Sequence, residues 1–444
     1  LDGQGDEMKR GGKNLLAILG CLVGGLAQAG EPYAVPDTGQ RQCYDDMGRV
    51  GCPSPGQAFF GQDAQYQGPA PQYRNNGDGT VSDLVTGLMW EKSFSKTGFA
   101  DAAAQAQASR TGGHADWRVP TIKELYSLMN FQGATGSAGP GTQGAPADAK
   151  PYIDTRHFNF EYPSQGRFID AQYVTSTAYL GLTMGRDRSF FGVNFADGRI
   201  KAYPQNGGPG GRIWNARYVR GNPAYGKNDF RDNGDGTIAD LATGLTWTKS
   251  DSGRGLDWGQ ALAYCESLFL AGHDDWRLPN AKELHSIVDY TRSPSATQSA
   301  ALDPIFDITA IKDDDGKREW PYFWTSTSHL DGRRPGDFAV YIAFGTAQGH
   351  LGGGGMMGGP PGGGMGGGPP GGGMGGPPPG MGGFPPGGMM GGSQSAANLK
   401  LTDVHGAGAQ RSSPKSGDES RLPKGAGPQG DVLRIFNFAR CVRG

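Results

Sequence analysis

The chain has 444 residues and a formal net charge of −2; 36% of it is hydrophobic, and it carries 79 Gly and 31 Pro. The near-neutral balance excludes the basic footprint of a nucleic-acid binder, and no run of like charge makes a polyionic tail. The length allows roughly two to four domains, and much of the Gly and Pro excess is local, so ordinary cores remain.

Residues 1–29 read as a signal peptide. Lys9, Arg10 and Lys13 form a basic start, Leu15–Leu26 an apolar stretch, and Ala27-Gln28-Ala29 a cleavage site, with Met8 as the initiator. A lipid anchor at Cys21 is the alternative, but apolar residues continue past it. No other stretch approaches the ~20 apolar residues that span a bilayer. The mature chain is therefore expected to be secreted or on the cell surface, with no transmembrane span. Residues 30–65 form a leader in which Cys43 and Cys52 flank Met47-Gly48-Arg49. That spacing suits a hairpin closed by a short disulfide.

The remainder divides into two copies of one unit, 66–222 and 223–444. Asn75-Asn76-Gly77-Asp78-Gly79-Thr80 opens the first, and Asp232-Asn233-Gly234-Asp235-Gly236-Thr237 the second. Asn-Gly and Asp-Gly between β-prone runs predict hairpin turns. Asp83-Leu84-x-Thr86-Gly87-Leu88-x-Trp90 then matches Asp240-Leu241-x-Thr243-Gly244-Leu245-x-Trp247. A helix follows in each copy, starting near Phe99 and near Trp258, the latter capped by Asp257.

The centre of each copy is the most telling stretch. Trp117-Arg118-Val119-Pro120-Thr121-Ile122-Lys123-Glu124-Leu125 recurs as Trp276-Arg277-Leu278-Pro279-Asn280-Ala281-Lys282-Glu283-Leu284. Pro biases the residue before it to extended geometry. Thr121 and Asn280 then stand as N-caps, with Glu124 and Glu283 at capping-box spacing. The predicted helix carries Leu125, Leu128 and Met129 in one copy and Leu284, Ile287 and Val288 in the other, an apolar stripe. Further on, Tyr173–Thr177 matches Phe323–Thr327, and Arg217-Tyr218-Val219-Arg220-Gly221 matches Arg440-Cys441-Val442-Arg443-Gly444.

Four cysteines remain after the signal, and four allow three pairings. Aligned on the central tryptophan, Cys265 falls opposite Ala106, and Cys441 opposite Tyr218. Joint absence from the first copy is what a bonded pair leaves, so we expect Cys265–Cys441 and, by elimination, Cys43–Cys52. The second copy is lengthened by residues 352–392, almost only Gly, Pro and Met without collagen periodicity. It cannot bury a core and is expected to be a flexible loop; capture of Cu(I) by its thioethers is the lesser reading.

The N-G-D-G-T opening, the D-W-R-x-P-x-x-K-E-L centre, the T-S-T strand and the R-C-V-R-G end resemble the Legionella collagen-like protein C-terminal domain family. The resemblance implies an α+β fold: two tandem C-type-lectin-like domains, each with two helices and a mainly antiparallel twisted sheet, plus long loops. More distantly it touches the formylglycine-generating enzymes.

Asp78, Asp83, Asp235 and Asp240 are candidate calcium ligands, being hard oxygen donors. EF-hand spacing fails, so hairpin turns are the preferred reading and no cofactor is implied. His114 and His273 lack a second His at zinc spacing and read as turn residues. Trp117 and Trp276 read as core, Arg118 and Arg277 as bridges to buried carbonyls or a carboxylate, Glu124 and Glu283 as caps. Ser176 and Ser326 repeat without a repeated His base. The expected function is non-catalytic: a recognition or adhesion protein binding glycan or another extracellular polymer or surface protein. A structural envelope or surface-assembly component is the alternative, and a formylglycine-type oxidase a remote one. Tyr179, Phe190, Phe191, Tyr322 and Tyr341 are expected as exposed aromatics for a sugar.

Overall fold

The computed structural model describes residue 1 and residues 32–137, 142–206, 212–332, 334–352, 399–423 and 430–444. The expected signal peptide beyond Leu1, with Cys21, and the Gly/Pro/Met segment beyond Gly352 lie outside the described residues. The rest is α+β, mostly sheet with a few short helices and no closed barrel.

Each copy opens with a small antiparallel sheet. Tyr73–Asn75, Thr80–Asp83 and Leu88–Glu91 are completed by the closing strand Val219–Gly221, and Phe230–Asp232, Thr237–Asp240 and Thr246–Thr248 by Val442–Arg443. The predicted turns are the reason. Asp78 and Asp235 accept from Thr80 N and Thr237 N within their own turns. Gly77, Gly79, Gly234 and Gly236 hold the positive φ these turns require.

The later strands do not form two separate sheets. They join into one of eight strands, ordered Tyr322–His329, Phe338–Ala343, Gln410–Pro414, Arg199–Pro204, Ser189–Asn194, Gln172–Ala178, Trp214–Ala216 and Ser95–Thr97. Gln410 pairs antiparallel with Ile200 at the junction, and Ala202 N donates to His405 O. Reading outward from the junction, the first three strands of each copy correspond, and Trp214–Ala216 and Ser95–Thr97 extend the first copy's side alone. The two copies are therefore related by a pseudo-twofold axis through the sheet.

The central helices lie on that axis. Ile122–Tyr126 is capped by Thr121 and Ala281–Ser286 by Asn280, each with a complete capping box. They are shorter than the apolar stripe suggests. Leu128 N bonds to Leu125 O and Met129 N to Tyr126 O, a tighter 3₁₀-like turn that continues the stripe beyond the helix. Two more helices, Ala102–Ala108 and Trp258–Glu266, follow the predicted starts, the second capped by Asp257, and an unpredicted short one, Pro294–Thr297, is capped by Ser293. Both expected disulfides are present, Cys43–Cys52 and Cys265–Cys441.

The five aromatics expected at the surface are buried. The sheet is covered on both faces. Phe190 stacks on Phe99 at 4.6 Å on one side, and Phe191 packs edge-on to Tyr290 of the other copy at 4.7 Å on the other. Tyr322 stacks on Tyr341 at 4.7 Å.

Candidate functional site

The centre of each copy is held by one repeated set of contacts. Arg118 grips Glu124 with two hydrogen bonds of 2.7 and 2.5 Å, and Arg277 grips Glu283 at 2.7 and 2.6 Å. Glu124 and Glu283 also accept from the backbone N–H of Thr121 and Asn280. The carboxylate of the capping box thus anchors the arginine, the carboxylate alternative expected for that residue. Buried carbonyls are instead gathered by Arg217 and Arg440, fully buried, each reaching carbonyls on two segments. Trp117 and Trp276 are core, each donating its indole N–H to a carbonyl six residues earlier, that of Thr111 and Leu270.

A bulge links strand to helix in each copy. Pairing slips between Val174 and Ala178 and between Trp324 and Ser328. The freed Thr177 hydroxyl accepts from Ile122 N at 3.0 Å, and Thr327 from Ala281 N at 2.9 Å. Each satisfies a helix N–H that has no partner within its helix.

Across the axis the two copies exchange lysines. Lys123 Nζ donates to Ser286 O at 2.7 Å and to Asn228 Oδ1 at 2.9 Å. Lys282 Nζ donates to Ser127 O at 2.8 Å and to Asp37 O at 3.0 Å. Burial pushes both ammonium groups down to about 8. The equivalent rings Tyr126 and His285 meet between them at 4.4 Å. Both lysines recur in the K-E-L motif, but a long cationic side chain gives no sequence sign of crossing to a second copy.

Beside this axis opens a cleft of about 550 Å³. The first copy supplies Arg118, Thr121 and Thr177, the inter-copy connection Asn228, and the second copy Asp289 and Tyr290. The matching place in the second copy is closed by the leader together with Tyr66, the residue that follows it. Thr38 O accepts from Phe131 N. Asp63, fully buried, accepts from Thr38 Oγ1 at 2.7 Å and Thr327 Oγ1 at 2.5 Å. Tyr66 lays its ring 5.5 Å from the Arg277 guanidinium and donates to Glu266. Gly61 lets the leader in: at φ +97° it passes so close to Glu266 that a Cβ would lie 2.5 Å from Oε1. Burial pushes the Asp63 carboxyl up to about 7, against the two threonine hydrogen bonds that lower it.

The leader sets the two arginines apart. The Arg118 side chain is 38% exposed and that of Arg277 11%. Ser176 and Ala178 are exposed, whereas Tyr322–His329 is buried throughout.

A second joint, at the sheet junction, is ionic. Arg199 of the first copy pairs with Asp331 of the second. Asp431 is bound by Arg411 and His405. His329 bridges Ser412 and the Asp197 carbonyl. These partners hold both Asp331 and Asp431 well below the usual carboxylate range, against their burial.

The calcium candidates fall apart into turns. Asp83 accepts from Val85 N, and Asp240 from Asp229 N and Asn228. Among the described residues no three His, Cys, Asp or Glu side chains gather as a metal site. His273 closes a turn with Leu270 and His114 lies edge-on to Trp117.

Fold and site together define a duplicated α+β module, two copies fused through one sheet and unequal in what covers their centres. The family model described as the Lcl C-terminal domain matches residues 79–220 and 236–355, more than half of the chain and once in each copy. The chain belongs to the Lcl C-terminal domain family. No curated protein and no solved structure matches it. The family points to a surface or secreted protein, and among the described residues no helix is long and apolar enough to cross a membrane.

Proposed function

We propose that this is a secreted or cell-surface recognition and adhesion protein that binds an extracellular polymer, a glycan first, in the cleft between its copies. The observation that carries the reading is the cleft itself. It has the size of a ligand site, and it mixes hydrogen-bonding side chains with the Tyr290 ring, as polyhydroxyl ligands require. The family's surface or secreted character supports the setting. Each copy is read as C-type-lectin-like, with helix and bulge presenting the binding face, and the reading is non-catalytic. An oxidase of the formylglycine type needs reactive thiols, and Cys43, Cys52, Cys265 and Cys441 are tied in disulfides.

The test is a glycan array probed with the full chain, with and without calcium. The reading expects saturable binding that is lost when exposed Thr291, on the cleft wall, is changed to Arg. Silence on every glycan rejects the glycan, and a Thr291→Arg chain that binds as well as the parent rejects the cleft.

A further inference from the structure

The two centres carry the same chemistry, and in one of them the structure displays an occupant. Thr327 of the second copy accepts from a helix N–H and donates its own proton to Asp63 of the leader. Thr177 of the first copy accepts from the equivalent N–H. Among the described residues no carboxylate meets its hydroxyl. Arg277 has the Tyr66 ring on its face, and Arg118 borders open cleft at the equivalent position. Asp63 and Tyr66 stand at either end of a single 3₁₀ turn, Asp63–Gln65, so one short turn of peptide satisfies both threonine and arginine.

We propose that the first copy's cleft is a peptide-acceptor site: it takes, from a partner protein, a turn bearing a carboxylate and, three residues on, an aromatic ring. The carboxylate accepts from Thr177 and the ring covers Arg118, as Asp63 and Tyr66 do on the second copy. This rests on the cleft being a recognition site but not on its ligand being a glycan. The leader cannot fill both places. It is tethered, so its effective concentration at the second copy is of millimolar order, and a peptide added in solution meets the first copy's cleft vacant.

The probe is a synthetic peptide of residues 59–68, titrated into the full chain and followed by calorimetry. The expected result is saturable binding at one site, weakened about fivefold when the peptide carries Asp63→Ala or the chain carries Thr177→Val, since a side-chain hydrogen bond contributes about 1 kcal/mol net. Thr177→Val also removes an acceptor from Ile122 N, so Ala178→Arg, at an exposed position beside the site, provides a block that leaves that bond in place and abolishes binding. Thr327→Val leaves the site intact. Absence of saturable binding, or binding indifferent to both Thr177→Val and Ala178→Arg, overturns the proposal. Peptide binding with silence on glycans rejects only the glycan; glycan binding without peptide binding rejects only this inference.

Discussion

The two copies differ less in what they are made of than in what lies on them. Both have the Arg–Glu grip, the capping box, the bulged threonine and the buried closing arginine. The second has in addition a disulfide from helix to closing strand, where the first has Ala106 and Tyr218, both buried. It also has the leader, which turns the end of its bulged strand into interior, while Ser176 and Ala178 stay outside. Duplication thus left one centre sealed and one open, and the open one borders the cleft. A repeat can supply rigidity with one copy and a binding face with the other.

The largest effect that sharpens this contrast is removal of the staple. Cys265→Ser with Cys441→Ser should cost roughly 2–5 kcal/mol, read by chemical denaturation, while the first copy holds its counterpart positions by packing alone. An unchanged midpoint breaks the idea that the second copy is the clamped one.

Symmetry is tested by the exchanged lysines. Lys123→Met and Lys282→Met each strand buried acceptors, Ser286 O and Ser127 O among them, and should each cost about 1–3 kcal/mol. Their costs should match, and the double variant should fall short of the sum, because the two lie on one interface. A cost on one side only argues against a true pseudo-twofold.

The threonines should behave unequally. Thr327→Val removes one of the two hydroxyls that donate to the buried Asp63 carboxyl and leaves the buried Ala281 N–H without its acceptor, and should cost about 1–3 kcal/mol, whereas Thr177→Val, at the open centre, should cost about 1 kcal/mol or less. Equal losses in denaturation would contradict the difference in cover.

The smallest effect is one of pH. The Asp63 carboxyl is raised to about 7 when docked, against about 3.9 unfolded. Its contribution is fully present below about pH 4 and is lost as pH rises through 7. The stability advantage of the parent chain over Asp63→Asn should therefore shrink between about pH 4 and pH 7. The opposite holds for Asp331 and Asp431, whose depressed values make their contribution present above about pH 4 and lost in stronger acid.

Much of this was legible in the residues. Asn-Gly and Asp-Gly turns, the caps Thr121, Asn280 and Asp257, and the cysteine pair follow from local chemistry or from comparing one copy with the other. The joined sheet was not. Edge pairing of Gln410 with Ile200 is a backbone event with no composition of its own, and the alternation around Phe190 and Phe191 cannot say that both faces will be covered. The leader's place was hidden for a related reason. Asp63 and Tyr66 are ordinary polar and aromatic residues until a threonine and an arginine from the second copy come to meet them.

The direct test of a sealed and an open centre is thiol labelling at equivalent positions. Ser176→Cys and Ser326→Cys, made singly, place one free thiol on each bulged strand. Exposed Ser176 and buried Ser326 predict rapid labelling of the first and protection of the second, with protection relieved when Thr327→Val loosens the leader. Equal labelling rates at the two positions in the otherwise unaltered chain would contradict the account.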